Sequence, residues 1–307
     1  MRIFITGASG FVGRNLAQRL IDNGHTVTAA VRASSNVNLV PDDCEIVTVD
    51  LMSAESISRH LSGIEAIFHV AGAVKARSGE DFDRINAGLT AAIVNAAKIR
   101  CPEALFVLTS SQAAAGPNDA GPQSSYGRSK LLAEQVVTGF PRYVIVRAPA
   151  ALGSGDRETR SFYSWARRGV TVTLGNDDVN FCIISISDLA CFMAELVNNP
   201  AAEGQILQPS CPELITWKRI HKSMEKATGR KIFRIPLPSF LVYIAGFLGE
   251  AAATFTGAYP LLDREKARDI TSSAWLCKQH KVERITGWKP ELSLDETIRR
   301  AIQPPGK

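Results

Sequence analysis

Several things are scarce in this chain. Cysteine occurs six times (Cys44, Cys101, Cys182, Cys191, Cys211, Cys277), never as C-x-x-C and never beside a histidine at metal-ligand spacing. That excludes a zinc ribbon and argues against a disulfide framework; thiols kept reduced in a cytoplasm are expected. There is no long basic run, and the net charge is only +5 over 307 residues. Nucleic acid is therefore not an expected partner, although the charge suits an anionic small molecule. A clean charge-free run of about 20 residues, enough to span a bilayer, is also missing. The nearest approach is Leu237–Ala258, which contains Leu241–Leu248 but is interrupted by Glu250 and bracketed by Pro236, Pro238 and Pro260. A helix covering a ligand pocket is the expected reading, with contact with a membrane surface or with a greasy substrate as the lesser alternative. No repeat or low-complexity tract is visible, and the chain opens on an apolar strand with no signal-peptide pattern before it.

What is present is ordinary globular material, 45% apolar and 21% charged. Short apolar runs alternate with amphipathic stretches. Strands are expected over Ile3–Thr6, Thr26–Val31, Glu45–Val49, Ala66–Val70, Ala104–Leu108 and Tyr143–Val146. Helices are expected over Phe11–Asn23, Phe82–Ile99 and from Tyr126 to about Val137. This order predicts an α/β fold, a Rossmann-type doubly wound parallel sheet that binds its ligand beyond the carboxyl ends of its strands. From about Ala150 the alternation loosens. A division follows, with residues 1–150 as the dinucleotide-binding domain and 151–307 as a smaller C-terminal α/β substrate lobe, interleaved with the first.

The first expected strand runs into Thr6-Gly7-Ala8-Ser9-Gly10-Phe11-Val12-Gly13. Gly7 permits a tight turn, Gly10 lets backbone approach a pyrophosphate, and Gly13 lets the helix pack close to the strand. The helix start then offers unpaired N–H groups to the phosphates. The spacing is GxxGxxG, given weight by the strand before it and the helix after it. Where NAD binders usually place an acid, at the end of the second strand, this chain has Val31-Arg32, followed by Ser34 and Ser35. An arginine there suits a 2′-phosphate, so NADP(H) is the preferred cofactor, with NAD(H) the alternative. Asp50-Leu51, after the third strand, is expected beside the adenine.

A second motif stands about 110 residues on. Tyr126 and Lys130 are four apart and share a helix face, and Ser110-Ser111 ends the preceding strand. An ammonium beside a phenol is expected to lower the phenol's pKa from roughly 10. Ser111 would hydrogen-bond a substrate oxygen, Tyr126 would exchange its proton, and a nicotinamide held by Lys130 would exchange hydride.

These motifs resemble those of the extended short-chain dehydrogenase/reductases, the superfamily often labelled NAD-dependent epimerase/dehydratase, and the resemblance covers nearly the whole chain. It implies that Val70, Ala71 and Gly72 lie beside the cofactor, that Asn86 stands near it, and that Thr109 joins the cofactor set. It implies that Ser111, Tyr126 and Lys130 are the catalytic set, and that Gly7, Ser9, Gly10, Phe11, Val12 and Gly13 form the cofactor loop. Ser187-Asp188-Leu189 and Gly287-Trp288-Lys289-Pro290 resemble family signatures of structural character. A homodimer through the long helix and the Tyr126 helix is also implied.

Within the superfamily, sugar-nucleotide dehydratases carry Asp-Glu after the serine position; here Gln112 and Ala113 follow, so dehydration is set aside. Epimerases usually carry an asparagine after the sixth strand. The segment Arg147–Arg157 has none, and its Arg-x-Pro resembles hydroxysteroid dehydrogenase-like and dihydroflavonol reductase-like members. The leading expectation is an NADP(H)-dependent reductase of a carbonyl, or equally a dehydrogenase of a secondary alcohol. The substrate lobe would draw on Ala150–Arg168 (with Phe162, Tyr163 and Trp165), Asn180–Ser187 and the apolar segment near Leu237–Phe255. The alternative is a nucleotide-sugar 4-epimerase or 4-ketosugar reductase. A third reading is a redox sensor that binds NADP without chemistry.

Overall fold

Apolar residues alternate along the first strand so that Ile3 and Ile5 point to one side and Phe4 to the other, all three fully buried. Only a sheet covered on both faces accommodates that pattern. The computed structural model describes residues 1–156, 158–175, 177, 179–256, 262–271 and 275–303. Its strands are β1 (Arg2–Thr6), β2 (Thr26–Val31), β3 (Glu45–Thr48), β4 (Ala66–His69), β5 (Leu105–Ser111), β6 (Tyr143–Ala148), β7 (Ala150–Leu152), β8 (Val170–Leu174), β9 (Ile183–Ser185), β10 (Gln205–Leu207) and β11 (Phe233–Leu237). Its helices are α1 (Phe11–Asp22), α2 (Ala54–Ser58), α3 (Gly79–Asp83), α4 (Leu89–Arg100), α5 (Ser125–Val137), α6 (Arg160–Arg167), α7 (Ile186–Glu195), α8 (Trp217–Thr228), α9 (Ser239–Thr256), α10 (Arg264–Thr271), α11 (Gln279–Thr286) and α12 (Leu294–Ile302).

Seven strands form one parallel sheet in the order β10-β6-β5-β4-β1-β2-β3. The chain winds outward from β1 through β2 and β3, then returns to β4 on the other side of β1. The crevice where ligands bind in such sheets therefore opens between the ends of β1 and β4. Ile3 and Ile5 face a core built with Leu16, Leu20, Leu189 and Phe192 of α1 and α7. Phe4 faces a second core with Ile57, Ile93, Val94, Ala133 and Val137 of α2, α4 and α5. The edge strand β10 comes from the second half of the chain and pairs with β6.

Element boundaries differ from the sequence reading mostly by a residue or two. β3 stops at Thr48 and β4 at His69, while β5 extends through Ser111 and β6 through Ala148. The helix expected over Phe82–Ile99 is instead α3, a π-helical turn at Arg84–Gly88, and α4.

The remainder of the second half has its own small core around Leu152, Tyr163, Ile183, Ile215, Ile220, Met224, Leu294 and Ile298. β8 pairs with β11, and β7 with β9. α9 packs on α10 through a small contact: a Cβ on Gly246 would sit 2.7 Å from the Asp263 carbonyl oxygen. Val242 is fully buried, but Phe240, Leu241, Ile244, Phe247 and Leu248 are exposed. Much of the apolar face of the 237–258 segment thus points outward, and the expected pocket cover is not what these side chains form. Residues 257 and 258 of that segment, and Arg157 of the 147–157 segment, lie outside the described residues. No helix among the described residues is long and apolar enough to cross a membrane.

Candidate active site

The glycine loop is forced by contact as much as by torsion. Gly7 has φ +78°, and a Cβ there would lie 2.7 Å from the Ala71 nitrogen. A Cβ on Gly13 would lie 2.1 Å from the Gly7 carbonyl oxygen, inside any possible contact. The loop after β1 is thereby pressed against Val70 and Ala71, which follow β4. Gly10 is the N-cap of α1; no side chain caps it and no acid stands in the first turn. Its amide donates to Gly7 O, and in the first helical bond the Arg14 amide donates to Gly10 O. The amides of Phe11, Val12 and Gly13 are left by the helix for an anion. Ser9 is half-buried in the same loop. Phe11 faces the second half of the chain, where a Cβ on Gly153 would meet its ring at 3.3 Å. Arg14 anchors that approach by donating from Nη2 to Gly155 O at 2.8 Å.

His69, which ends β4, locks this corner. Thr90 Oγ1 donates its proton to Asn86 O at 2.6 Å. It must therefore accept from His69 Nε2, 3.0 Å away. That leaves His69 Nδ1 to accept from Thr6 Oγ1 at 2.8 Å, while Thr6 Oγ1 accepts from the Ala71 amide at 3.2 Å. The imidazole is neutral, and burial together with the nearby Lys130 charge pushes its pKa down to about 3.

Asn86 binds the loop after β4 to α5. Its Oδ1 accepts from Ala73 N at 2.8 Å, and its Nδ2 donates to Ala73 O at 3.1 Å and to Ser129 Oγ at 2.8 Å. A Cβ on Gly72 would sit 2.8 Å from Asn86 Oδ1 and 3.6 Å from Lys130 Nζ. Val70, Ala71, Gly72, Asn86 and Lys130 are brought together as the sequence reading expected.

α5 begins at Ser124, whose side chain accepts from Gly127 N, and projects Tyr126 and Lys130 toward the end of β5. The Tyr126 ring stands edge-on to Phe82 of α3, with centroids 5.8 Å apart. The Ser111 hydroxyl stands near enough to the Tyr126 phenol to favour its ionisation, and its Oγ accepts from Ala113 N at 3.1 Å. Lys130 is buried and donates from Nζ to Thr109 O at 2.7 Å. Two polar atoms beside these groups, Thr109 Oγ1 and Gln112 Nε2, are buried and have no partner within the protein. With the open amides of α1, they give the site the character of a receptacle for a polar dinucleotide.

One expectation is corrected here. Burial pushes the Tyr126 phenol above its ordinary value, and the nearby Ser111 hydroxyl only partly opposes this. The Lys130 ammonium is committed to the Thr109 carbonyl. Burial also pushes Lys130 down to about 8, against the attraction of Glu134.

Glu134 is the residue that sequence reading missed, although its place four residues after Lys130 on the same helix was a usable signal. It is buried and meets Arg147 at two points, and it accepts from Ser110 Oγ at 2.5 Å. Glu265 of α10 was also missed. It accepts from the Ser125 amide at 2.6 Å and from Ser125 Oγ at 3.0 Å, so α10 holds the start of the Tyr126 helix.

Other expected residues fall as follows. Arg32 is exposed at the end of β2, and its turn is closed by Ser35 Oγ, which accepts the Arg32 amide at 3.1 Å. Asp50 is exposed and turns the chain by accepting from Met52 N at 3.0 Å, while Leu51 is buried in the core. Tyr163 is buried in the core of the second half and Phe162 packs on Trp217; Trp165 is exposed. None of the three is placed at Tyr126 by these contacts. Asp188 accepts the amides of Glu291 and Leu292 at 3.1 and 3.3 Å, and Trp288 packs on Phe192 at 5.0 Å, so both C-terminal signatures act as structural ties.

Comparison with known proteins places this arrangement. Residues 3–206 match the model of the NAD dependent epimerase/dehydratase family. The chain is 31% identical over 275 residues to a ceramide reductase of Caulobacter vibrioides, covering 89% of this chain and 85% of that protein. It is 30% identical over 261 residues to a 3 beta-hydroxysteroid dehydrogenase/Delta 5-->4-isomerase of Mycobacterium tuberculosis, covering 75% and 70%. The fold is similar to that of a UDP-glucose 4-epimerase from Thermotoga maritima, with a TM-score of 0.79 at 17% identity and coverage of 98% and 97%.

Proposed function

Because the chain belongs to the NAD dependent epimerase/dehydratase family, and is an enzyme of that family, we propose that it is an NADP(H)-dependent reductase of a lipophilic ketone or aldehyde. The observation that carries the reading is the placement of Ser111, at the end of β5, beside a Tyr126 phenol that burial holds above its ordinary pKa, with Lys130 buried one turn away and bonded to Thr109 O at 2.7 Å. A phenol that keeps its proton at neutral pH is set to give it up as a carbonyl becomes an alcohol. The dinucleotide, when bound, supplies the hydride. Ser111 orients the substrate oxygen; Lys130, its charge supported by Glu134, holds the nicotinamide ribose.

The glycine loop, Ser9, Phe11, Val12, Val70, Ala71, Gly72, Asn86 and Thr109 would hold the dinucleotide, with Asp50 and Leu51 beside its adenine. Arg32, exposed where an acid would repel a 2′-phosphate, supports NADP(H). A lipophilic substrate is supported by the names of the two relatives, a ceramide reductase and a hydroxysteroid dehydrogenase. A homodimer through α4 and α5 belongs to the same proposal. Calorimetric titration with NADPH and NADH tests it, together with release of any retained nucleotide by denaturation. A clear preference for exchangeable NADPH supports the reductase. Tightly retained NAD overturns the Arg32 argument and favours the nucleotide-sugar epimerase.

A further inference from the structure

Phe240, Leu241, Ile244, Phe247 and Leu248 are exposed by 61, 40, 50, 56 and 59%. Their spacing of i, i+1, i+4, i+7 and i+8 from Phe240 sets them on one broad stripe of α9, opposite Val242 and Gly246, which face the protein. β11, which leads into α9, adds Phe233 at 71% and Ile235 at 40%. Scattered exposed apolar residues need no explanation, but a contiguous group of this size does.

The charge within this segment is of one sign. Residues 230–249 contain Arg230, Lys231 and Arg234 and no acid. Arg230 and Lys231 are exposed at the start of β11. Arg168 stands across from them, because the amide of Phe233 bonds Gly169 O at 2.8 Å. Arg234 pairs with Asp177, and Arg264, which pairs with Glu250, lies over the Phe247 ring at 5.8 Å. Cations thus gather at one end of β11 and an aromatic-rich apolar helix stands at the other.

We propose that the outer face of α9, with Phe233, Ile235, Arg230 and Lys231 of the β11 segment, docks the enzyme on the surface of an anionic lipid bilayer. The apolar stripe would enter the headgroup boundary while the cations meet lipid phosphates. A second copy of the chain fits less well. A two-fold contact would set residues 230–249 against the same segment of the other copy, which holds no acid to meet Arg230 and Lys231. The docked helix is one layer from the chemistry, since α9 packs on α10 and Glu265 of α10 bonds Ser125, next to Tyr126. A membrane-dissolved substrate would meet the protein on this side. The inference goes beyond the proposed reaction, and its test needs no turnover.

The test is co-sedimentation of the full chain with vesicles of phosphatidylcholine, alone or mixed with phosphatidylglycerol. Binding to the mixed vesicles is expected, weakened by salt and much weaker on phosphatidylcholine alone. Arg230→Gln with Lys231→Gln should weaken it roughly 30-fold, at about five-fold per cation. Phe240→Ser with Phe247→Ser should weaken it by at least about ten-fold with the circular dichroism unchanged, as both side chains are already exposed. No sedimentation with the mixed vesicles, or sedimentation indifferent to both pairs of substitutions, overturns the proposal. So does a wild-type oligomer in solution that Phe240→Ser with Phe247→Ser dissociates, which would assign the face to self-association.

Discussion

Glu134 and Arg147 meet at two points, 2.9 Å to Nε and 2.7 Å to Nη2, and the pair is nearly closed to solvent. The carboxylate comes from the Tyr126 helix and the guanidinium from β6, so the ion pair fixes α5 to the sheet one turn beyond Lys130. Glu134→Gln leaves Arg147 buried without its counter-charge and should lower stability by about 3–5 kcal/mol. Urea unfolding measures this directly; a loss under about 1 kcal/mol would mean that solvent reaches the pair.

The same carboxylate supports the charge on Lys130, whose pKa is pushed down to about 8. If the ammonium is required, activity should fall as pH rises through about 8, and Glu134→Gln should move that limb to lower pH. Stability runs the other way. The unfolded lysine titrates near 10.5, so between about 8 and 10.5 the unfolded chain binds more protons and folding is increasingly favoured. A pH–rate profile beside a pH–stability profile separates the two effects. A flat rate across this window would remove Lys130 from the mechanism.

His69 makes the same demand in the acid range. Its folded value of about 3 lies below the ordinary 6.5, so the unfolded chain takes up a proton that the folded chain refuses. Its contribution is complete above about 6.5 and is lost progressively as pH falls toward about 3, at up to about 1.4 kcal/mol per pH unit. His69→Gln, which keeps a donor for Thr90, should flatten this part of the stability profile. An unchanged acid slope would show that other groups dominate acid unfolding.

Tyr126→Phe removes the phenol and keeps the ring against Phe82. Turnover should fall by about 10²–10⁴-fold while cofactor affinity stays within about two-fold. Single-turnover kinetics and a fluorescence titration read the two quantities separately, and turnover near the wild-type rate would end the proton-transfer assignment.

Much of the sheet was legible because β1, β2 and β4 are apolar runs closed by turn residues, and a buried parallel strand has few other ways to be written. The glycine loop was legible because a Cβ at Gly13 has no room. The outward face of α9 was not, since periodicity shows that a helix has an apolar side without showing what covers it. The upward displacement of the Tyr126 pKa was not legible either. Proximity of an ammonium in sequence says nothing about the Thr109 carbonyl that engages it, and burial is a property of the assembled site. Phe162 and Tyr163 read as pocket residues for the same reason that they build the small core: aromatic side chains serve both uses.

The π-helical turn at Arg84–Gly88 has a consequence for how this enzyme tolerates length change. One extra residue is accommodated between α3 and α4, and Asn86 lies within that surplus. Deleting a single neighbour such as Ala87 would restore regular winding, leaving α3 and α4 in phase but turning Asn86 with the rewound turn. Asn86 would then leave Ala73 and Ser129. A shortened chain could keep its sheet, its cores and every side chain named in the site, and still lose the alignment between its two halves of the chemistry.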